Sequence, residues 1–335
     1  MLMLSARRAA VLGALVLLLT PAVPRAQEAP DTSQMTPLQK LILKARQQAG
    51  TQPSAESDTL IIPAGVTRLT GTPGDEGKAA WSPDGQRLYY EYFEHGTRRI
   101  VRREMADGSV TALTDSLSSC RTPAISPDEQ YMVFVRDVAA LPTKLWIMRL
   151  EDGEIAKLTE EGGNRRELDP AYSHSGGAIY FAVNPVGRAN AQPMLISRDG
   201  SNEEVLADAA GSWQSPAPSP SGKKIAWSLR MGNSGTLRIM DAKVNALVEP
   251  FEFPGHFISS ASWLRGERKL VVAYLDQSDA RAGYDLGIVD LDTGELTPWI
   301  DMTNAIDPVV SPDGSQVVFR ARVDKHYELF LAKAP

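Results

Sequence analysis

Short runs of alternating apolar and polar residues recur along most of this chain. The runs "RLYYEY" (87–92), "YMVFVR" (131–136) and "QVVFRA" (316–321) are rich in aromatic and β-branched residues. A period of two is typical of half-buried β-strands, and these residue types favour strands. Each run follows a tight turn built from Pro, Ser, Asp or Gly. The pattern predicts a protein made almost entirely of short strands joined by turns.

The turn marks a longer repeat. "SPDG" occurs at 82–85 and again at 311–314, and altered copies occur between them. Aligned on this turn, six segments follow one another at a spacing of about 45 residues: "KAAWSPDGQRLYYEY" (78–92), "TPAISPDEQYMVFVR" (122–136), "DPAYSHSGGAIYFAV" (169–183), "SPAPSPSGKKIAWSL" (215–229), "SASWLRGERKLVVAY" (260–274) and "DPVVSPDGSQVVFRA" (307–321). A period near 45 residues with short strands is typical of β-propeller blades.

The residues of the repeat account for its local structure. In the turn, Pro fixes φ, Asp bonds to the nearby backbone and Gly accepts a positive φ. A third strand follows, and then a second turn such as Asp107-Gly108, which is a strong hairpin signal. The fourth strand ends in a recurring "LT", as in "SVTALT" (109–114) and "EIAKLT" (154–159). This order predicts four strands per repeat.

The two ends of the repeat region predict how the fold closes. The last repeat stops at Pro335 after its third strand, while "GVTRLT" (65–70) matches the fourth strands but has no strands before it. We therefore expect the N-terminal segment to complete the last blade, which removes the sheet edges of an open array. The predicted fold is all-β, a six-bladed β-propeller of four-stranded blades over residues 58–335.

The repeat also carries a family resemblance. Its SPDG-type turns and "LT" strands resemble the PD40 (WD40-like) repeats of the TolB family of periplasmic proteins, over residues 66–335. TolB has an α/β domain before its propeller, whereas only about forty residues separate the predicted signal from the ring here. The third and fifth turns read "SHSG" and "WLRG", and Glu129 replaces the Gly of the second. The resemblance is therefore to a TolB-like propeller that lacks the N-terminal domain.

The first residues have the layout of a secretory signal peptide. Arg7 and Arg8 precede an apolar run over 9–19, and cleavage is expected after Ala26. The run is shorter than the roughly 20 apolar residues of a membrane-spanning helix. We predict a signal peptide over 1–26, a periplasmic location and no direct insertion into a membrane.

Residues 27–57 are predicted to form a flexible arm with a short amphipathic helix. Thr36 can cap the helix, and Leu38, Leu41 and Ile42 share one face of it. In one interpretation the helix packs on the ring or has no role. In the other, the arm is a tether whose apolar face docks on a partner. In TolB the residues after the signal contact a membrane-anchored partner, so the resemblance makes the second interpretation worth a test.

The composition of the chain mainly excludes classes of function. The net charge is −6 and the pI about 5.4, with both signs mixed along the chain and without the basic patch of a nucleic-acid or anionic-membrane binder. Cys120 is the single cysteine, which excludes an internal disulfide. The four histidines are scattered and never paired at metal-ligand spacing. We expect a monomer without nucleic acid, metal or cofactor.

The candidate site lies at the mouth of the central channel, around which a propeller places its first strands. The residues that open the six inner strands are predicted to be Lys78, Thr122, Asp169, Ser215, Ser260 and Asp307. The predicted loops into these strands hold Arg121, Arg166, Trp213 and His256. Asp169 and Asp307 come three blades apart, so we expect them to face each other across the axis. A mouth with acids, bases and an aromatic ring is suited to a peptide end or a small polar ligand.

A structural interpretation competes with this site. Thr122, Asp169, Ser215 and Asp307 each precede a proline. The residue before proline is expected to be extended, and a polar side chain there can satisfy backbone groups. Trp213 is of a type that more often packs than recognises a ligand.

Two classes of function stay open. The resemblance implies a protein-interaction scaffold in the cell envelope, whose partners would include a peptidoglycan-associated lipoprotein or an inner-membrane Tol-type protein. Binding is then expected at Arg121, Arg166, Asp169, Trp213 and Asp307. The alternative is an enzyme, a lyase or hydrolase, with a small-ligand site at the channel mouth. Since the sequence has no G-x-S-x-G elbow or other catalytic motif, no catalytic residue is predicted.

Overall fold

The computed structural model describes residues 62–138, 141–160, 164–207, 211–243, 247–279 and 283–335. Within these ranges the chain forms 24 β-strands and no helix, as an all-β fold requires. In chain order the strands are β1 Val66–Arg68, β2 Asp75–Trp81, β3 Arg87–Glu94, β4 Thr97–Glu104, β5 Val110–Ala112, β6 Ser119–Ile125, β7 Tyr131–Asp137, β8 Lys144–Arg149, β9 Ile155–Lys157, β10 Arg165–Tyr172, β11 Ala178–Pro185, β12 Gln192–Ser197, β13 Glu204–Val205, β14 Ser212–Pro218, β15 Lys224–Met231, β16 Ser234–Asp241, β17 Leu247–Phe251, β18 His256–Trp263, β19 Lys269–Asp276, β20 Tyr284–Asp290, β21 Leu296–Ile300, β22 Ile306–Val310, β23 Gln316–Val323 and β24 His326–Lys333. The predicted signal peptide (1–26) and arm (27–57) lie outside the described residues.

Antiparallel pairing between consecutive strands groups the chain into four-stranded units. Units one to five are β2–β5, β6–β9, β10–β13, β14–β17 and β18–β21. Unit six consists of β22, β23 and β24, with β1 as its outer strand. Units four and five belong to one eight-stranded sheet, because a single parallel pair, Gly235 with Phe257, joins β16 to β18. The described part of the chain is thus a β-propeller fold in which the first strand of each unit is innermost.

β1 joins the two ends of the repeat region. It pairs antiparallel with β24, with Val66 opposite Ala332 and Arg68 opposite Phe330. The Arg68 guanidinium also makes a bidentate ion pair with the carboxylate of buried Glu328 on β24. The N-terminal segment therefore supplies the outer strand of the unit that contains the C-terminus, as the "LT" pattern predicted.

Buried apolar side chains form clusters between consecutive units. The cluster between units one and six contains Trp81, Leu88 and Tyr90 from one unit and Val318 and Leu329 from the other. Corresponding clusters lie between units one and two, two and three, three and four, four and five, and five and six. Successive side chains of a strand point to opposite faces, so each unit packs on both neighbours. Each fully buried Leu or Phe contributes about 1.5–3 kcal/mol to this packing.

The SPDG turns adopt the predicted conformation. Ser82 Oγ donates to Asp84 Oδ1 at 2.6 Å, and Gly85 has a φ of +70°. In the second copy Glu129 takes the positive φ, at +53°. Its carboxylate accepts a hydrogen bond from Arg87 of unit one at 2.8 Å. The loss of Gly in this turn is therefore accompanied by an ion pair between two units.

The threonines of two "LT" ends accept hydrogen bonds from the neighbouring strand, and one of them also contacts the next unit. Thr114 Oγ1 accepts from the N–H of Ile100 at 2.9 Å, and Thr159 Oγ1 accepts from the N–H of Leu145 at 3.3 Å. Thr159 in turn donates to the buried carboxylate of Glu167 in the first strand of unit three. Buried polar groups need hydrogen-bond partners, and the Thr159 hydroxyl finds one in its own unit and one in unit three.

Candidate functional site at the centre of the propeller

Each of the six first strands carries a β-bulge. Pairing with the second strand is interrupted between Glu76 and Ala79, Arg121 and Ala124, Leu168 and Ala171, Gln214 and Ala217, Ile258 and Ser260, and Ile306 and Val309. A bulge bends its strand and re-aims a side chain. The residues that were expected to open these strands therefore lie inside them, at or beside the bulges.

Four of the bulges hold a residue in the left-handed region. The φ angles of Thr122, Asp169, Ser215 and Asp307 lie between +48° and +53°, and each of these residues precedes a proline. The expectation that the residue before proline is extended is therefore wrong at these four positions. A left-handed backbone costs non-glycine residues about 1–2 kcal/mol each, most clearly the β-branched Thr122. The chain carries this strain in corresponding positions of four units.

The bulges converge on one cavity of about 290 Å³. Its walls include Asp169 and Asp307, which the sequence predicted to lie on opposite sides of the axis. All six first strands contribute to the lining, through Lys78, Thr122, Asp169, Gln214, Ser215, Ser259, Ile306 and Asp307. Glu91, Tyr284 and Arg320 from other strands complete it. In β18 the lining residue is Ser259, whereas the predicted Ser260 is buried and its Oγ accepts from the Asp307 N–H at 3.2 Å.

The cavity wall alternates in charge. Lys78 Nζ lies 3.5 Å from Asp169 Oδ1, and Arg320 Nε lies 2.8 Å from Asp307 Oδ2. Burial opposes the charge on Lys78, but Asp169, Asp307 and Glu91 outweigh burial and raise the pKa of the ammonium. Burial likewise opposes the charge on Asp307, but Arg320 and Lys78 hold the pKa of its carboxyl below the usual value. The cavity thus keeps both signs of charge at neutral pH.

Glu91 differs from the other acids of the wall. It is 8% exposed, and its carboxylate accepts from the N–H of Thr122 at 2.8 Å. Its nearest cation is Arg98, whose Nε is 3.8 Å away. Burial raises the pKa of Glu91, although the bond from Thr122 lowers it in part. The surroundings of Glu91 therefore favour the protonated carboxyl, whereas those of Asp307 favour the carboxylate.

The other three predicted binding residues lie outside the cavity wall, and so does His256, which was expected in the same loops. Arg121, Arg166, Trp213 and His256 are all within first strands, so their placement in loops was wrong. Arg121 pairs with Asp137, and Arg166 is exposed. Trp213 is 3% exposed and packs edge-on against Trp227, with ring centroids 6.0 Å apart. Of the five residues, the cavity collects Asp169 and Asp307.

Two charged residues of the cavity wall were missed by the sequence reasoning. Glu91 and Arg320 lie in second strands whose other central residues are buried and apolar, "RLYYEYFE" and "QVVFRARV". A charged residue inside such a strand was the available signal, since charges are rarely buried without a function or a partner. The alternation of apolar and polar positions alone does not distinguish such a charged residue from an ordinary exposed one.

Metal and membrane features were also sought in the described ranges. No group of three or more His, Cys, Asp or Glu side chains there is arranged to hold a metal ion. Over the same residues, no helix has the length and apolar character needed to cross a membrane.

The sequence was also compared with known protein families and with curated proteins. No family model matches the chain. A TolB homologue from Chlorobium luteolum is 29% identical over 150 residues, which is 44% of this chain and 33% of that protein. The Tol-Pal system protein TolB of Francisella tularensis is 24% identical over 177 residues, which is 52% of this chain and 40% of that protein. The matched stretches span less than half the length of these curated relatives.

Solved structures resemble the chain over a larger part. A structure from Agrobacterium tumefaciens assigned as TolB covers 81% of this chain with a TM-score of 0.62 at 15% identity, and 97% of that chain is matched. A gluconolactonase from Xanthomonas campestris covers 81% of this chain and 89% of its own, with a TM-score of 0.62 at 17% identity. At such identities the likeness concerns the fold. Together with the curated relatives, it makes this chain a TolB-like β-propeller.

Proposed function

We propose that this chain is a six-bladed, TolB-like propeller that acts as a protein-interaction scaffold in the cell envelope. In this proposal a segment of a partner polypeptide enters the central cavity, and the rim of the ring supports it. The observation that carries the proposal is the convergence of six bulges on one charged cavity. Strained backbone persists where the surrounding structure holds it, and it concentrates at binding sites.

Six blades are proposed because contacts continue around the ring. Trp263 Nε1 of unit five donates to the Ala217 carbonyl of unit four at 2.7 Å. The equivalent Trp81 Nε1 of unit one donates to the Val309 carbonyl of unit six at 3.1 Å. The same interface between first strands is thus used within the chain and between its ends. The single parallel pair that merges units four and five adds a contact between two neighbouring blades.

The proposal also assigns roles to the two N-terminal segments. Residues 1–26 serve as a cleaved signal peptide, and residues 27–57 serve as an arm that offers a second docking element. The name of the Francisella relative, a Tol-Pal system protein, supports envelope partners such as a peptidoglycan-associated lipoprotein. The proposal further includes a periplasmic location and a monomer, with the exposed side chain of Arg166 on β10 available for a further contact.

Capture from envelope extract tests the scaffold role. The bait is the mature chain, 27–335, beside a Lys78→Gln/Asp169→Asn variant that removes one cation and one anion from the cavity. The matched control, Arg149→Gln/Asp152→Asn, removes an exposed ion pair elsewhere with the same change in charge. We expect wild type and control to retain the same envelope protein and the cavity variant to lose it. The captured protein is then purified, and its direct binding is measured by calorimetry.

Two outcomes would contradict the proposal. Equal capture by the cavity variant would remove the cavity from the interface. If neither wild type nor control retains any envelope protein, the scaffold role itself is wrong. A form that begins at residue 58 separates the contributions of arm and ring.

An enzyme that uses the same cavity is the second candidate. The favouring observation is Glu91, a buried carboxyl with a raised pKa on the same wall as Lys78. Such a carboxyl is suited to act as a general acid, and Lys78 to stabilise an anion. Incubation with gluconolactone and with acidic oligosaccharides tests this role. Product formation that Glu91→Gln abolishes would favour the enzyme, whereas no turnover of either substrate class would weigh against it.

A further inference from the structure

A second cleft opens where units one and six meet. It has a volume of about 330 Å³ and lies beside the central cavity, with which it shares Glu91 and Arg320. One wall comes from β2, β3 and β4, and the other from β23, β24 and the turn between them. Its lining residues are Asp75, Glu76, Gly77, Glu91, Phe93, Arg98, Arg320, Arg322, Lys325 and Tyr327.

The cations of this cleft outnumber the acids available to them. Within the described part of the chain, Arg322 and Lys325 form no ion pair. Arg322 Nε donates only to the Asp324 carbonyl, at 3.1 Å. Arg98 has Glu91 as its nearest acid, and the separation of 3.8 Å is too long for a hydrogen bond. Arg320 is already paired with Asp307 on the cavity side.

Two guanidinium groups of the cleft are held by aromatic rings. The Arg98 guanidinium carbon lies 4.8 Å from the centre of the Phe93 ring, on one wall. The Arg320 guanidinium carbon lies 4.7 Å from the centre of the Tyr327 ring, on the other. Stacking of this kind orients a guanidinium, so less freedom is lost when a ligand binds. The cleft therefore presents two oriented forks with two further cations, Arg322 and Lys325, near its rim.

The acids of the cleft weaken this positive charge only in part. Burial raises the pKa of Glu76 to about 7, and it also raises the pKa of Glu91. The carboxylate of Asp75 is engaged by the N–H of Tyr327 at 2.7 Å. An anion in the cleft would therefore meet two uncompensated cations, Arg322 and Lys325.

We propose that the cleft between units one and six binds the carboxylate of an acidic side chain of the partner polypeptide. The inference rests on the proposed scaffold function, because a polypeptide that occupies the central cavity reaches the cleft through their shared wall. At neutral pH an unmodified polypeptide carries its negative charge on carboxylates. Planar guanidinium groups match a carboxylate in a bidentate arrangement.

Calorimetric titration with two short probe peptides tests the cleft. One probe is an acetylated, amidated polyglutamate, and the other is the matching polyglutamine. The titrations use the mature chain at low ionic strength, since salt screens such contacts. The test variant is Arg322→Gln/Lys325→Gln, whose side chains are exposed and do not support the core. The matched control is Lys223→Gln/Lys333→Gln, which removes the same charge at exposed positions outside the cleft.

We expect polyglutamate to bind wild type and control alike, and to bind the cleft variant at least tenfold more weakly, because two charge-assisted contacts are lost. Polyglutamine should not bind. The proposal is overturned if wild type does not bind polyglutamate, if both variants weaken binding equally, or if polyglutamine binds as well. A cleft that passes this test while envelope capture fails would leave the carboxylate site standing and remove the scaffold function.

Discussion

Glu76 provides a direct test of how the first and last units pack. Its side chain is fully buried beside β24, where Thr72 Oγ1 donates to one carboxylate oxygen. The other oxygen, Oε2, has no partner among the described residues. The corresponding residue of unit three, Glu167, is also fully buried, but it contacts Lys144 Nζ at 3.2 Å. In β24 the residue that corresponds to Lys144 is Glu328, so the interface between units one and six holds two acids.

The size of the effect of Glu76 on the free energy of unfolding follows from its pKa. Burial is the largest influence on the pKa of Glu76 and raises it, and the nearby charge of Glu328 raises it further. The hydrogen bond from Thr72 opposes both, and the resulting pKa is about 7 instead of 4.5. At about 1.4 kcal/mol per pKa unit, the effect amounts to roughly 3 kcal/mol. A raised pKa means that the folded state favours the protonated acid. Glu76 therefore stabilises the fold fully below pH 4.5, and this contribution is lost as the pH rises through about 7.

The Glu76→Gln variant keeps the shape of the side chain and cannot ionise. We expect its free energy of unfolding, minus that of wild type, to rise by roughly 3 kcal/mol between about pH 4.5 and pH 8. Urea denaturation followed by tryptophan fluorescence gives both values at each pH. All other titrating groups are shared, so the difference isolates Glu76. A difference that stays constant with pH would refute the assignment of a neutral acid at this interface.

Glu167→Gln is the matched control, because it makes the same chemical change at the corresponding position of unit three. It removes the carboxylate partner of Lys144, whose side chain is only 9% exposed. Breaking a buried ion pair on one side typically costs about 3–5 kcal/mol. We therefore expect destabilisation at neutral pH, which is opposite in sign to the effect of Glu76→Gln. Equal effects of the two variants would mean that their surroundings do not differ as described.

Three further predictions concern the repeat and its closure. Thr159→Val removes the hydroxyl that accepts from Leu145 and donates to Glu167, and should lower the free energy of unfolding by about 1–3 kcal/mol in urea titrations; an unchanged midpoint would contradict this role of the "LT" motif. Trp81→Phe leaves the carbonyl of residue 309 without its indole donor and should lower stability by a similar amount, measured by calorimetry. Cys120 is 1% exposed and burial raises the pKa of its thiol, so a thiol reagent should modify it only as the protein opens; immediate reaction in the native state would show that its strand is not packed as described.

Much of the fold could be predicted because it depends on local chemistry. The turn at Ser82 recurs wherever its hydroxyl, aspartate and glycine recur, and the alternation after it sets which faces are buried. The outer strand at Val66 was predictable from "GVTRLT" (65–70), since an "LT" strand without a preceding repeat needs a distant partner. The merged sheet was not predictable. It depends on the close approach of Gly235 to Phe257, and nothing in the sequence of either repeat indicates that contact.

The site is harder to predict because its parts are far apart in sequence and its geometry breaks a local rule. Asp169 and Asp307 could be paired by counting repeats, but the contact of Lys78 with Asp169, 91 residues further along the chain, could not be predicted. The proline after each aspartate argued for an extended chain, whereas the bulge turns the aspartate into the left-handed region. Tertiary packing decides between these conformations, since six first strands meet at one axis and must bend to do so. The same bend that lets the strands converge also aims their polar side chains at the cavity. Here the constraint of the fold and the chemistry of the site have one structural cause, and a single repeat read alone contains neither.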